Sequence, residues 1–169
     1  ITPASGTHLA GSGAGEHRPA QSVMDPLYAR ALACESGGRR ICMVILDLTI
    51  VTGDYTSQIR GEIGARTGLA PEAIMIQATQ THSAPSLGHF MLDPDFPLQT
   101  TPQNEYLRGA ERNYGDRVAA AAIDVAVEAV HSIQPARIGV GRGVLGDLAF
   151  NRRGVRRDGT ILMPKPLGR

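Results

Sequence analysis

The densest group of residues able to do chemistry is Gln77-Ala78-Thr79-Gln80-Thr81-His82-Ser83-Ala84-Pro85. It follows a short apolar run, Ala73 to Ala78, which reads as a buried strand. In open α/β sheets, ligands bind beyond the carboxyl ends of the strands, so a site is expected here. Along an extended chain, side chains alternate, which would set Gln80 and His82 on one side. Two groups so placed can converge on one metal ion or one substrate. Imidazole suits zinc, whereas a neutral amide oxygen is a poor ligand for it. His82 is therefore a candidate ligand or acid–base group, and the competing reading is a hydrogen-bonded structural histidine. Ser83 would point to the opposite face, which argues against a direct Ser–His pair, and the chain has no G-x-S-x-G elbow.

Other candidates are more dispersed. Asp47 closes the apolar run Val44-Ile45-Leu46-Asp47-Leu48. A carboxylate there is costly unless it is paired or exposed. It reads either as a partner that orients a histidine or as a strand-end cap. Asn151-Arg152-Arg153 offers guanidinium forks suited to carboxylates or oxyanions, although consecutive arginines are commonly surface charges. Gly141-Arg142-Gly143-Val144-Leu145-Gly146 has G-x-G-x-x-G spacing, but a dinucleotide site needs a helix to follow, and Asp147-Leu148-Ala149-Phe150-Asn151 does not read as one. His89, Asp93 and Asp95 lie in a long loop that could approach the strand end. His8, His17 and His131 have no partner evident from spacing.

The elements that must position these residues follow from periodicity and punctuation. Pro26 to Cys34 and Arg40 to Leu48 read as two strands joined through Gly37-Gly38, a hairpin. The second is almost continuously apolar and so is expected to be central and covered on both faces. Asp54 is a candidate N-cap, with Tyr55, Ile59 and Ile63 on one helical face and Gly68 and Pro71 as stops. With the Ala73–Ala78 strand this makes a βαβ unit. A long helix is expected from a Thr100/Gln103 capping box to Pro135, with Leu107, Ala110, Tyr114, Val118, Ala121, Val125 and Ala129 inward. A strand over Ala136–Val140 would complete a second crossover, and residues 150 to 164 read as a hairpin around Asp158-Gly159. The fold class is α/β: a mixed, largely parallel sheet with βαβ crossovers, flanking helices and an N-terminal hairpin.

Composition removes several function classes. The chain has 169 residues, 42% hydrophobic and 20% charged, which excludes a disordered tail. No run approaches the ~18 apolar residues of a transmembrane helix. The basic residues Arg152, Arg153, Arg156, Arg157, Lys165 and Arg169 crowd the last segment against Asp158 alone. Without a lysine cluster or interleaved aromatics, they read as a solvated hairpin, and no nucleic-acid partner is expected. Cys34 and Cys42 could meet across the first hairpin or stay as free thiols.

Several blocks in order resemble the N-terminal catalytic domain of the neutral/alkaline non-lysosomal ceramidases. Ile1-Thr2-Pro3 with Leu9-Ala10-Gly11 looks like that family's start. Met24-Asp25-Pro26-Leu27-Tyr28-Ala29-Arg30-Ala31-Leu32 is similar to its His-Asp-Pro-Leu-Tyr-Ala-Arg-Ala-Leu block. Thr79-Gln80-Thr81-His82-Ser83-Ala84-Pro85 resembles its Thr-His-Thr-His-Ser-Gly-Pro signature. Leu46-Asp47-Leu48, Gln134-Pro135-Ala136-Arg137-Ile138-Gly139 and Asn151-Arg152-Arg153 followed by Asp158-Gly159 also match.

The resemblance implies a zinc-dependent amidase that cleaves the N-acyl bond of ceramide or a related small-molecule or lipid amide or ester. In the family signature the first histidine ligates zinc and the second lies beside the metal, positions that fall on Gln80 and His82. Arg152 matches an arginine lining the family's active site. Two residues depart from the pattern: Gln80 and Met24 stand where the family has histidine. The family's further zinc ligands and its Gly-Asp-x-Ser-Pro segment lie downstream of the matched region. Residues 1–169 are therefore expected to be the front part of a larger catalytic domain, inactive alone. The alternative is a non-catalytic binding or structural homologue that has lost a zinc ligand.

Overall fold

The structure, a computed structural model, describes residues 1–11, 17–89, 95, 97, 99, 101–146 and 153–162. The chain divides into two units, Ile1–Gln134 and Pro135–Arg169. Among the described residues it is a mixed α/β chain with a small three-stranded mixed sheet, a two-stranded sheet and two α-helices.

In the first unit β1 (Ala29–Ser36) and β2 (Arg39–Leu46) form the expected hairpin. Gly37 and Gly38 turn it with φ of 56° and 75°, the pair of left-handed residues that a two-residue hairpin needs. Helix α1 (Gly53–Thr67) follows, and β3 (Ile74–Ala78) then pairs parallel to β2. The sheet order is β1-β2-β3, with one antiparallel and one parallel neighbour to the central strand.

Helix α2 (Arg112–His131) packs with α1 on one face of this sheet. That face carries Cys42, Val44 and Leu46 from β2 and Ile74 and Ile76 from β3, all buried. Ile59 and Ile63 meet them from α1, and Tyr114, Val118, Ala122 and Ala126 from α2. The alanines of α2 lie opposite Ala29, Ala31 and Ala33 of β1, so small side chains on both elements let helix and strand approach closely. Burying each Leu or Ile in this layer contributes roughly 1.5–3 kcal/mol.

Three expectations need correction. First, β2 is central but covered on one face only: its other face and those of its neighbours show Leu32, Ile41 and Met75 exposed, with Met43 and Ile45 half-buried. Second, α2 begins at Arg112 rather than near Thr100. Asn104 accepts the Thr101 amide at 2.6 Å, a short 3-10 turn runs Glu105–Arg108, and Gly109 at φ 127° breaks the helical path. Thr100 itself lies outside the described residues. Third, after Val118 the buried positions are Ala119, Ala122, Ala126, Val127 and Val130, while Ala121, Val125 and Ala129 are half-buried.

In the second unit, Ala136–Val140 forms no strand. Ile138 and Val140 are 87% and 93% exposed, so the burial that would stabilise a strand there is missing. A small hairpin does form, β4 (Gly154–Val155) with β5 (Ile161–Leu162), around Asp158 and Gly159 as the sequence suggests.

Candidate functional site

The His82 segment sits at the carboxyl end of the parallel pair. Past β3, the Thr79 amide donates to the Leu46 carbonyl at 2.9 Å and the Thr81 amide to that of Leu48 at 3.0 Å. The pairing resumes with the Thr49 amide to Pro85 O, Leu87 to Ile50 O and Thr52 to Leu87 O. Between these two stretches His82 and Ser83 form an excursion, both exposed.

Thr49 closes that excursion from below. It is 1% exposed, and its hydroxyl lies 3.0 Å from the Thr81 carbonyl and 2.9 Å from that of Ala84. Ala10 braces it from the side, its amide donating to Ala84 O at 2.9 Å. At the next residue a Cβ would overlap the His82 carbonyl, so Gly11 is required for this backbone contact.

Gln80 has φ 61°, the one non-glycine in the left-handed region among the described residues. For an L side chain this conformation costs of order 1 kcal/mol. It also breaks the extended geometry from which Gln80 and His82 were expected to share a side. The alternation holds instead for Thr79 and Thr81, whose hydroxyls lie 2.7 Å apart. Ser83 and His82 form no hydrogen bond with each other, and they lie in a bend rather than on a strand.

Asp47, 15% exposed at its side chain, accepts the Tyr28 amide at 3.0 Å and Arg30 Nη1 at 2.8 Å. Arg30 in turn stacks over Tyr28. Of its two sequence readings, this geometry is the strand-end cap. Asn151 and Arg152 lie outside the described residues. The pair Cys34 and Cys42 is also resolved: Ala33 faces Cys42 and Cys34 faces Ile41, so the two thiols point to opposite faces and are free.

Two features escaped the sequence reading. His8, on an isolated bridge with Pro19, has its ring Nδ1 2.6 Å from Glu111 Oε1 and its ring flat on Tyr106, centroids 3.7 Å apart. Its backbone amide also donates to the Glu111 carboxylate. The second is a cavity of about 430 Å³ where β2 and the chain after β3 both leave the sheet, lined by Thr52, Asp54, Tyr55, His89, Glu105 and Arg112, among others. Gly88 makes its wall possible, because a Cβ there would overlap the Thr52 side chain and its φ is 96°. His89 Nδ1 is buried without a hydrogen-bond partner. Burial pushes the Tyr55 phenol up, with Asp116 adding to the shift and Arg112 opposing it. Asp54 lies within the first turn of α1 and Thr52 holds the cap position expected for it, while His89 is in the loop after β3; no spacing rule brings them together.

Among the described residues, no three His, Cys, Asp or Glu side chains converge as a metal site, and no helix is long and apolar enough to cross a membrane. Comparison of the chain with family models, curated proteins and solved structures found no match.

Proposed function

We propose that this chain is part of a hydrolase domain resembling the neutral ceramidases, with His82 serving cleavage of an N-acyl amide or a related ester. The observation that carries the reading is the placement of His82. It is exposed at the carboxyl end of the parallel β2–β3 pair, on a loop whose backbone is held by buried Thr49 and by the contact with Gly11. An imidazole so placed can give a proton to a leaving amine or hydrogen-bond a developing oxyanion. The resemblance also assigns Arg152, next to Asn151 in the sequence, to the active site, and a guanidinium is suited to an oxyanion. In this reading the sheet of the whole catalytic domain is largely parallel and built by βαβ crossovers, of which β2–α1–β3 is one.

Zinc is what the resemblance implies. On this loop the donors are one imidazole, His82, and one neutral amide, Gln80, and a catalytic zinc site takes three protein ligands. The described residues alone do not fit the ion, so His82 is assigned proton and oxyanion chemistry only.

The test is hydrolysis of an N-acyl sphingoid base by the natural polypeptide containing this segment. His82→Ala is expected to lower kcat/KM by at least about a hundredfold. Unchanged activity would overturn the assignment. A second reading, a non-catalytic homologue, is favoured by Gln80 at the ligand position. It expects no hydrolysis by the natural protein and no stoichiometric zinc. Stoichiometric zinc with turnover sinks it.

A further inference from the structure

The loop that carries His82 is gripped from two sides by segments far apart in sequence. On one side is the N-terminal arm: the Ala10 amide donates to Ala84 O at 2.9 Å, and Gly11 packs on the His82 carbonyl. On the other side is the approach to α2: the Ala110 amide donates to Ser86 O at 3.4 Å, and a Cβ on Gly109 would come 3.0 Å from the Gly88 carbonyl oxygen. The arm and this approach are tied to each other by His8 and Glu111. The Glu111 carboxylate accepts the His8 amide at 3.2 and 3.3 Å and lies 2.6 Å from the His8 ring Nδ1. A carboxylate at neutral pH only accepts, so Nδ1 carries the proton. Tyr106 reinforces the tie. His8 stacks on its ring, and His17, from the returning limb of the arm, packs at a tilt with centroids 6.1 Å apart. The contacts close a ring through residues 8–11, 82–88 and 109–111.

We propose that the His8–Glu111 pair is a positioning clasp for His82, with Glu111 as the positioning residue. His82 and Ser83 lie in a bend, so their path is set by what holds the residues around them. Of the links in the ring, the Ala110 bond is long and therefore weak. The Ala10 bond joins two neutral groups. The bonds to Glu111 are charge-assisted, which makes each roughly twice as strong as a neutral one. The His8 and Glu111 side chains are only 26% and 23% exposed, so salt screens them less than an open surface pair. Opening this one link frees the arm, and with it the Ala10 and Gly11 contacts that define the His82 backbone. The catalytic consequence rests on the amidase reading of His82. The coupling of the pair to the loop is independent of that reading.

The experiment begins with amide hydrogen exchange on the unaltered chain. One clasped unit opens as a whole, so the His8, Ala10 and Ala110 amides are expected to show protection within about fivefold of one another. A wider spread would overturn the proposal, because the arm would then open alone. By NMR, Glu111→Ala is expected to shift the backbone signals of His82 and Ser83 and to leave those of the Gly37-Gly38 turn in place. Glu111→Gln, whose amide oxygen still accepts from His8, should restore them. Unmoved His82 signals in Glu111→Ala overturn the clasp, and His8→Ala reads the same signals should that variant not fold. In the natural polypeptide, with hydrolysis of an N-acyl sphingoid base as the readout, Glu111→Ala should lower kcat by about tenfold or more and change KM by less than about twofold. Glu111→Gln should recover most of that loss. An unchanged kcat, where His82→Ala has removed turnover, overturns the positioning role. If His82→Ala turns over normally, the amidase reading has failed instead, and the exchange and NMR results decide the clasp by themselves.

Discussion

The hydroxyl of Thr49 lies 2.9 Å from the carbonyl oxygen of Ala84, a contact across 35 residues of sequence, and 3.0 Å from that of Thr81. It thus spans the two ends of the excursion that carries His82. Replacing it with the isosteric Val removes the donor and leaves the Thr81 carbonyl in an apolar setting. Thr49→Val is expected to cost about 1–3 kcal/mol in urea denaturation, and Thr49→Ser about 1 kcal/mol or less. Faster amide exchange at Thr81 and Leu87 in Thr49→Val would show that the loop, not the sheet, has loosened. A loss equal to that in Thr49→Ser would refute the bridging role.

Gly11 holds the same loop from the other side. A Cβ at residue 11 overlaps the His82 carbonyl, and backbone cannot move aside as a side-chain tip can. Gly11→Ala is expected to destabilise by about 1–3 kcal/mol. It should also shift the backbone NMR signals of His82 and Ser83 more than those of the β1–β2 hairpin. A variant as stable as the parent would show that the contact is dispensable.

Asp47 is a test of reading a carboxylate from sequence. Its partners are the Tyr28 amide and Arg30, and Arg30 is half exposed. Removing Asp47 leaves the Tyr28 amide without its side-chain acceptor, so Asp47→Ala is expected to cost about 1–2 kcal/mol. In a double-mutant cycle with Arg30→Ala, the ion pair itself should be worth less than about 1 kcal/mol. The His82 ring signals should not change in Asp47→Ala. A large change there would revive the reading in which Asp47 orients that histidine.

The hairpin register makes the two thiols unequal. Cys42 faces the helices, fully buried, and burial pushes its thiol pKa up. Cys34 lies on the uncovered face of the sheet, half-buried. A thiol-exchange reagent at neutral pH is expected to label Cys34 in the folded protein and Cys42 only on unfolding. Equal rates at both, or a disulfide between them, would contradict the register.

The parts legible in advance were those with strong local causes. Gly37-Gly38 forces a turn, Ile59 and Ile63 mark a helical face, and Gly68 ends it with φ 74°. The hairpin at Asp158-Gly159 is of the same kind. The start of α2 was misplaced because Gln103 looked like a capping residue, whereas Asn104 and Gly109 set the path. Its phase slipped within Ala119–Ala122, where neighbouring alanines give no hydrophobic contrast to choose a face. Covering of β2 was inferred from an apolar run, yet an apolar strand says only that both faces can be buried. The His82 loop was placed correctly, but the alternation argument failed at Gln80 because a left-handed residue is invisible to it. His8 and Glu111 are 103 residues apart, and no periodicity links them.

Asp158 gives a pH dependence with a definite sign. Its Oδ1 accepts the Thr160 hydroxyl at 2.7 Å and the Thr160 amide at 2.9 Å. The side-chain bond from Thr160, then the backbone bond, lowers its pKa below the ordinary 3.8. A group whose folded pKa is depressed contributes to stability above the unfolded value, and that contribution disappears as pH falls through the lower folded value. The β4–β5 hairpin is therefore expected to keep its Thr160 amide chemical shift from neutral pH down to about 4 and to lose it below that. Asp158→Asn should flatten this titration, since the amide oxygen can still accept but does not ionise. A midpoint above 3.8 in the parent would mean that the Thr160 bonds do not favour the carboxylate.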